Sequence, residues 1–175
     1  MYNLPGRENS TDVPKNRPLN EEEKKAASIE LQAIQAAEVE EDFAKALSLI
    51  NKAIAMSPEY PSPYNNRAQI YRLMEKDEES VLADLNKAIS LSNDDFPRVK
   101  AQALCQRAWL KYSKGEMADA YVDFESSSTL GCSDAKKMTV RCNPYARLCN
   151  NIMREMLQRL YFSKQQEKEE GNGDD

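Results

Sequence analysis

The chain has 175 residues, enough for one domain of ordinary size, and its 24 basic and 29 acidic residues give a formal net charge of -5. Because no basic stripe accompanies this acidic balance, nucleic acid is excluded as an expected partner. No apolar run approaches the ~20 residues that span a bilayer, and the N-terminus lacks the apolar centre of a secretory signal. We therefore expect a soluble, cytoplasmic protein without a membrane partner.

The first 19 residues hold three of the eight prolines and show no apolar periodicity, so residues 1–19 are predicted to be disordered. From Asn20 onward, apolar residues recur at helical spacing, while five glycines and few alternating β-branched runs argue against sheet. We predict an all-α domain over residues 20–163. The charged tail over residues 164–175 is again predicted to be disordered.

The tetrapeptide Asn-Lys-Ala-Ile occurs at residues 51–54 and again at residues 86–89. Three segments align on it: DFAKALSLINKAIAMSP, DEESVLADLNKAISLSN and GEMADAYVDFESSSTLG. Each is predicted to be the second helix of a repeated pair, because its apolar and small residues step by three and four along one helical face. Within the tetrapeptide, Ala53 and Ala88 are expected where helices cross, and the Asn and Lys side chains are expected to face water.

The first helices of the pairs also correspond, since YNNRAQIYRL matches LCQRAWLKYS. Small residues at helix crossings, a period near 34 and a proline after the second helix resemble the tetratricopeptide repeat. The resemblance implies a right-handed α-solenoid with repeats at about residues 27–60, 61–93 and 101–132. Repeat one departs from the pattern, because Glu30 stands where a bulky aromatic residue is usual.

Stacked repeats leave an apolar face at the last unit, so capping helices are expected over about residues 133–163. Asn143 can cap a long final helix that Pro144 begins, because proline suits the first helical position. We expect this helix to bury one apolar stripe against the last repeat: Tyr145, Leu148, Cys149, Ile152, Met153, Met156 and Leu160.

Three stretches carry a closer resemblance: NPYARLCNNIM in the final helix, ELQAIQAAE in the first helix and SPYNNRAQ in repeat two. Over about residues 30–160 the chain resembles the tetratricopeptide repeat protein 36 family, a small family with three repeats. The resemblance implies an intracellular adapter that associates with Hsp70-class chaperones.

Chaperone-binding members of the wider superfamily hold a C-terminal carboxylate with two lysines, two asparagines and an arginine. Carried over residue by residue, only Asn66 matches, and the other four positions are Leu31, Gln35, Gln102 and Gln106. Because charge-assisted hydrogen bonds are about twice as strong as neutral ones, a charged carboxylate clamp is not expected. A chaperone partner is expected to present an internal segment or a domain surface instead.

The first helices of such a solenoid line a concave groove, which is the predicted binding site for a protein partner. Its predicted lining is Gln35, Asn65, Asn66, Gln69, Arg72, Gln102, Gln106, Trp109 and Tyr112. An amide-rich floor with one arginine and two aromatic residues suits an extended peptide or a partner helix. The spacing of Trp109 equally fits packing against the next helix, and Asn66 equally fits a bond to a neighbouring turn.

No enzymatic motif is visible, because the chain has no histidine, no Gly-rich phosphate loop and no Gly-x-Ser-x-Gly elbow. The four cysteines form no Cys-x-x-Cys pair, so neither a metal site nor a cofactor is predicted. Three functions stay open: a co-chaperone-like adapter, a chaperone-independent scaffold or protector of a client enzyme, and a self-associating module. A monomer is expected.

Overall fold

The computed structural model describes residues 15–170, except for the side chains of Arg147 and of residues 164–170. Eight α-helices make up the described fold, which contains no strand. They are α1 (Glu21–Glu38), α2 (Phe43–Met56), α3 (Ser62–Leu73), α4 (Glu78–Ser92), α5 (Pro97–Ser113), α6 (Met117–Thr129), α7 (Ser133–Cys142) and α8 (Pro144–Glu170). None of the described helices combines the length and the apolar character that crossing a lipid bilayer requires.

The helices stack as three pairs, α1 with α2, α3 with α4 and α5 with α6, and each pair packs against the next. Helices α1, α3 and α5 also contact one another in turn, so the first helices of the pairs form one side of the stack. Alanines with no exposed surface lie where the helices meet, because a methyl group lets two backbones approach closely. Members of this set are Ala33, Ala46, Ala53, Ala68, Ala88, Ala108 and Ala120.

Side chains placed at the helix starts satisfy backbone N–H groups that have no partner inside the helix. Asn20 forms a capping box with Glu23, in which each side chain accepts a hydrogen bond from the other residue's backbone N–H. Asp42 and Asp77 cap α2 and α4 in the same position. The predicted cap of the last helix is confirmed, since Asn143 Oδ1 accepts from the N–H of Tyr145 at 2.9 Å.

The repeated tetrapeptide has a second role that its sequence did not indicate. Arg67 of α3 donates two hydrogen bonds to Asp84 of α4, at 2.6 and 2.7 Å, and a third to Asn51 of the preceding α2 at 2.7 Å. Both asparagines of the tetrapeptide are exposed, as expected, but each also accepts a hydrogen bond from an arginine of the following repeat. One guanidinium therefore joins three helices.

Repeat three contains the same arrangement. Arg107 bonds Asp123 at 2.7 and 2.8 Å and Asn86 at 2.6 Å, and Lys111 adds a second cation 2.8 Å from Asp123. Burial alone would raise the pKa of the Asp123 carboxyl, but the hydrogen bonds and charges of Arg107 and Lys111 outweigh it and hold that pKa below its ordinary value. The ionised carboxylate is thus the state that the fold stabilises.

The residues before α1 connect the first repeat to the third. Arg17 Nη2 lies 2.7 Å from Glu23 Oε1, and its guanidinium stacks 4.5 Å from the ring centre of Phe96, just before α5. Its backbone N–H donates to the carbonyl oxygen of Asp95 at 2.8 Å. Of the predicted disordered segment, residues 15–19 belong to this bridge, and residues 1–14 lie outside the described part of the chain.

The last repeat is covered by α7, and here one expectation is wrong. Ala135, Met138 and Cys142 of α7 are buried together with Ala108 and Phe124, which closes the apolar end of the stack. Because α7 already occupies that face, the expected stripe of α8 is not buried against the last repeat, although Leu148 lies near Met117 and Ala118 of α6. All seven of its residues are exposed: Tyr145, Leu148, Cys149, Ile152, Met153, Met156 and Leu160.

Helix α8 continues to Glu170, past the predicted domain boundary at residue 163. This continuation consists mainly of Lys, Gln and Glu, which are residue types of high intrinsic helix propensity. The remaining residues of the predicted disordered tail, 171–175, lie outside the described part of the chain.

We expect Asp123→Ala to lower the free energy of unfolding by about 2–4 kcal/mol at pH 7, because it leaves two partly buried cations without their anion. Since the pKa of Asp123 is lowered in the folded state, the ionised carboxylate stabilises the fold above pH ~4. That stabilisation is lost as the pH falls through the lowered pKa, so the difference between the two proteins should shrink in acid.

Urea titrations followed by the fluorescence of the single tryptophan, Trp109, measure this difference. Asp119→Ala is the matched control, since Asp119 is an exposed carboxylate on the same helix and should change stability by less than about 0.5 kcal/mol. Equal losses in the two variants would contradict the assignment of Asp123 as a structural anion.

Candidate functional site

A cavity of about 520 Å³ lies between α3, α5 and the start of α7, on the side of the stack formed by the first helices. We call it the groove and define it by its lining: Asn65, Asn66, Gln69, Arg72, Leu73, Gln102, Cys105, Gln106, Cys132 and Asp134. The lining is mostly polar and neutral, with one cation and one anion. A second, smaller hollow between α1 and α3 adjoins it through shared residues, including Asn66 and Gln69.

The structure brings together six of the nine residues predicted for this site: Asn65, Asn66, Gln69, Arg72, Gln102 and Gln106. The other three, Gln35, Trp109 and Tyr112, do not line the groove. Sequence reasoning missed Leu73, Cys105, Cys132 and Asp134. The turn that carries Cys132 and Asp134 comes from the capping region, and no periodic pattern in the sequence indicated which side of the stack it would approach.

Trp109 packs against the body of the protein. Its ring makes edge-on contacts with Tyr112 on its own helix and with the fully buried Phe124 of α6, at centroid distances of 5.6 and 5.5 Å. The exposed fraction of Trp109 is 39%, so part of the side chain remains in contact with water. These contacts correspond to the packing alternative that the spacing of Trp109 left open.

A continuous chain of side-chain hydrogen bonds crosses the floor of the groove and joins the three first helices. Gln106 of α5 donates to Asn65 Oδ1 at 2.9 Å, and Asn65 donates to Asn66 Oδ1 at 3.3 Å. Asn66 in turn donates to Glu30 Oε1 on α1. We call these four residues the amide chain. Its hydrogen bonds fix the orientation of each amide, and each amide uses one of its two N–H groups in the chain.

Glu30 is the residue on which the amide chain ends, and it is buried. Besides Asn66, Ser62 Oγ donates to the same carboxyl oxygen at 2.5 Å. Burial raises the pKa of Glu30, because removal of water disfavours the charged form, and the two hydrogen bonds offset only part of this effect. The sequence signal was its position, since an acidic residue stood where the repeat pattern has a bulky aromatic one.

Two groups in the groove retain unused hydrogen-bonding capacity. Gln106 Oε1 is buried and has no hydrogen-bond partner among the described residues, so it is an acceptor that an incoming N–H could satisfy. The exposed guanidinium of Arg72 makes no ion pair with any described residue, although Asp134 lines the same cavity. The groove thus offers one cation, one buried acceptor and two exposed amides, Gln69 and Gln102.

One of the two cysteines of the groove, Cys105, is a poor nucleophile. Burial is the largest cause and the neighbouring Cys132 is the next, and they raise the pKa of the Cys105 thiol to about 12, so Cys105 is protonated at neutral pH. Because a thiol reacts through its ionised form, this environment suppresses the reactivity of Cys105.

Curated proteins from other animals align with most of the chain. It is 41% identical over 137 residues to tetratricopeptide repeat protein 36 of Danio rerio, covering 78% of this chain and 72% of the relative. The chain belongs to the tetratricopeptide repeat protein 36 family. The Drosophila melanogaster homolog is 37% identical over 150 residues (86% and 80%), and the human protein is 40% identical over 133 residues (76% and 69%). No family model matches the sequence.

Solved structures confirm the predicted fold of this tetratricopeptide repeat protein 36 family member as a tetratricopeptide helical solenoid. The first such domain of Spaghetti (RPAP3), bound to the HSP90 peptide SRMEEVD, superposes with a TM-score of 0.57 at 18% identity, over 71% of this chain and 95% of that one. The N-terminal domain of stress-induced protein-1 from C. elegans gives 0.58 at 21% identity, over 71% and 99%. At 18% and 21% sequence identity, these superpositions show a shared fold and nothing further.

We expect Glu30→Gln to stabilise the protein relative to wild type increasingly as the pH rises above ~4.5. The folded-state pKa of Glu30 is raised, so ionisation of Glu30 destabilises the fold, beginning at its unfolded pKa and complete above its folded pKa. Glutamine keeps an oxygen that accepts from Ser62 and Asn66 but carries no charge to desolvate.

Urea midpoints measured from pH 4 to pH 8 check this prediction, with Glu38→Gln as the control. Glu38 is an exposed glutamate on the same helix, so its substitution removes a carboxylate that is not buried. A Glu30→Gln protein that loses stability steadily as the pH rises would contradict the assignment of Glu30 as a destabilising buried charge.

Proposed function

We propose that the chain is a non-catalytic adapter that binds an extended segment of a partner protein in the groove. The observation that carries this proposal is the unpartnered Gln106 Oε1 beside the uncommitted Arg72 guanidinium, within one cavity that spans two repeats. A peptide backbone supplies an N–H for the buried oxygen and carbonyl oxygens for the exposed donors. The proposed site of action is the cytoplasm, where the four free cysteines stay reduced.

Selectivity in this groove depends on Arg72. It lines the cavity beside Leu73 and one helical turn after Gln69, so a partner residue there meets a cation, an apolar surface and an amide together. An acidic side chain within the partner segment, rather than its terminus, would pair with the guanidinium, because guanidinium–carboxylate pairs are among the strongest hydrogen-bonded contacts.

For the partner we propose an Hsp70-class chaperone, recognised through an internal segment or a domain surface. Membership of the family and the solenoid fold, which in Spaghetti binds an HSP90 peptide, support a chaperone partner. Two observations argue against recognition of its terminal carboxylate. Glu30 brings a carboxyl group to the one matching clamp residue, Asn66, and Asn66 already donates one of its two amide N–H groups to Glu30.

We expect Arg72→Glu to weaken the binding of a purified Hsp70-class chaperone by about 10- to 100-fold, the effect of losing one charge-assisted hydrogen bond and gaining a repulsion. Isothermal titration calorimetry at ~0.15 M salt measures the Kd, and circular dichroism checks that helicity is unchanged. Lys87→Glu is the matched control, because Lys87 is an exposed cation on α4, away from the groove. Equal affinities of the two variants would place the contact elsewhere.

A peptide ending in Glu-Glu-Val-Asp should bind no more tightly as a free acid than as its C-terminal amide. The groove has no lysine pair to hold the terminal carboxylate, and Glu30 lies beside Asn66. Fluorescence anisotropy with the two labelled peptides checks this directly. A free acid that binds ten times more tightly than the amide would overturn the proposed recognition mode while leaving the adapter function intact.

The same groove also serves the second candidate function, a chaperone-independent scaffold or protector of a client enzyme. If the chaperone does not bind wild-type protein at concentrations up to ~100 μM, this candidate replaces the first. The exposed apolar stripe of α8 is the observation that favours the third candidate, a self-associating module.

A further inference from the structure

The hydrogen bonds of the amide chain all point the same way. Gln106 donates to Asn65 Oδ1 at 2.9 Å, Asn65 donates to Asn66 Oδ1 at 3.3 Å, and Asn66 donates to the carboxyl group of Glu30. A side-chain amide carries its oxygen and its NH2 group on opposite sides. An amide that donates to the residue on one side therefore turns its oxygen to the residue on the other, so the direction passes along the chain.

Glu30 is the member of the chain that fixes this direction. An ionised carboxylate only accepts hydrogen bonds, whereas an amide both donates and accepts. Asn66 must turn its NH2 group toward Glu30, and Asn65 must then turn its own toward the oxygen of Asn66. Ser62 Oγ donates to the same carboxyl oxygen at 2.5 Å, so two donors converge on this acceptor. Glu30→Gln would permit either direction, because glutamine also has an NH2 group to donate.

The opposite end of the chain is the atom that α5 presents to the groove. Gln106 uses its NH2 group for Asn65, which leaves Oε1 turned away from the chain. This oxygen is buried and has no hydrogen-bond partner among the described residues, while Gln106 itself lines the groove. A chain that ran the other way would contain the same number of hydrogen bonds and leave an NH2 group at this place. The free oxygen is thus a consequence of the direction of the chain.

We propose that Glu30 is a specificity-determining residue of the groove, although it does not line the cavity. Because its carboxylate accepts at one end of the amide chain, the other end, at Gln106, is an acceptor. The groove therefore selects a partner group that donates an N–H at α5 and rejects one that offers only a carbonyl oxygen, since two oxygens would then face each other. This role of Glu30 rests on the proposed function of the groove, and it specifies the chemistry of the partner at one point.

Arg72 gives the groove a second side of opposite character. Its guanidinium only donates hydrogen bonds and lies on α3, whereas the free oxygen of Gln106 only accepts and lies on α5. A partner segment with an acidic residue toward α3 and an N–H donor toward α5 satisfies both helices. The same segment placed the other way round would bring donor to donor and oxygen to oxygen. The direction of the amide chain thus also orients the partner segment.

A purely structural role of the amide chain would not require a carboxylate. Glu30 is 5% exposed, and a buried charge lowers the stability of the fold unless its hydrogen bonds compensate. Glu30→Gln would keep an acceptor for Ser62 and Asn66 without that charge. The carboxylate adds a fixed direction, so the decisive experiment must report the direction of the chain and not only its strength.

Moving the carboxylate from one end of the chain to the other tests this direction. Gln106→Glu places an acceptor-only group at both ends of the pair Asn65 and Asn66. Whichever way these two amides turn, one pair of oxygens is forced together, so we expect the midpoint of urea unfolding to fall by about 1 M. Adding Glu30→Gln leaves one acceptor-only end and lets the chain run toward residue 106. The double variant should recover most of the lost midpoint.

Gln102→Glu is the matched control, because Gln102 is an exposed amide of the groove on α5 that is not part of the amide chain. Its effect on the midpoint and that of Glu30→Gln should add to within ~0.2 M. If Gln106→Glu alone does not fold, a folded double variant shows the same coupling. In the wild-type chain, NMR should show that the side-chain amide protons of Gln106 exchange with water more slowly than those of Gln102.

The selection of a donor is tested with a purified Hsp70-class chaperone and isothermal titration calorimetry. The double variant places an ionised oxygen where Gln106 offers a neutral one, so a partner N–H should bind it about 3- to 10-fold more tightly than it binds wild type. Glu30→Gln combined with Gln32→Glu is the control of equal net charge, because Gln32 is an exposed residue of α1 outside the groove lining. That control should not show the gain.

Additive effects of Glu30→Gln and Gln106→Glu would show that the two ends of the chain are not coupled and would overturn the proposal. Side-chain amide protons of Gln106 that exchange as fast as those of Gln102 would do the same, since the NH2 group would then face water. A double variant that recovers stability but binds the chaperone more weakly would overturn the selection of a donor. A chaperone that does not bind wild type removes the proposed partner, while recovery of the double variant still supports the role of Glu30.

Discussion

The stack depends on one repeated contact, an arginine that joins three helices. Arg67 holds Asp84 of its own repeat and Asn51 of the preceding one, and Arg107 repeats the arrangement one unit later. Alanines at the crossings permit close approach, but small residues tolerate sliding. A guanidinium fork has a fixed geometry, so it specifies how each pair is placed on the last. The spacing of the first helices, and hence the width of the groove, follows from it.

The amides on the floor of the groove hydrogen-bond one another, whereas Arg72 and Gln106 Oε1 keep unused hydrogen-bonding capacity. The amide chain uses its donors to hold Glu30, a buried carboxylate whose ionisation destabilises the fold. The floor therefore presents amides of fixed orientation, and two groups of the groove keep hydrogen-bonding capacity, the Arg72 guanidinium and the buried oxygen of Gln106. The proposed recognition of an internal partner segment rests on these two groups.

Helix α7, and not α8, covers the apolar end of the last repeat. Helix α7 buries Met138 against Phe124 and thereby completes the core, so α8 contributes little to the stability of the domain. The exposed apolar residues of α8 therefore lie outside the core that α7 completes.

The all-α class, the repeat pairs, the cap at Asn143 and most of the groove residues were predictable, because helical period, capping and small residues at crossings are local properties of the sequence. The structure brings six of the predicted groove residues together in one cavity for the same reason, since they lie on neighbouring stretches of α3 and α5. The hydrogen bonds of Asn51 and Asn86 were not predictable, because their arginines lie in the following repeat.

Which helix covers the last repeat was decided by competition between α7 and α8 for one apolar surface. A pattern of apolar residues shows that a helix has a face to bury, and only the tertiary structure decides what buries it.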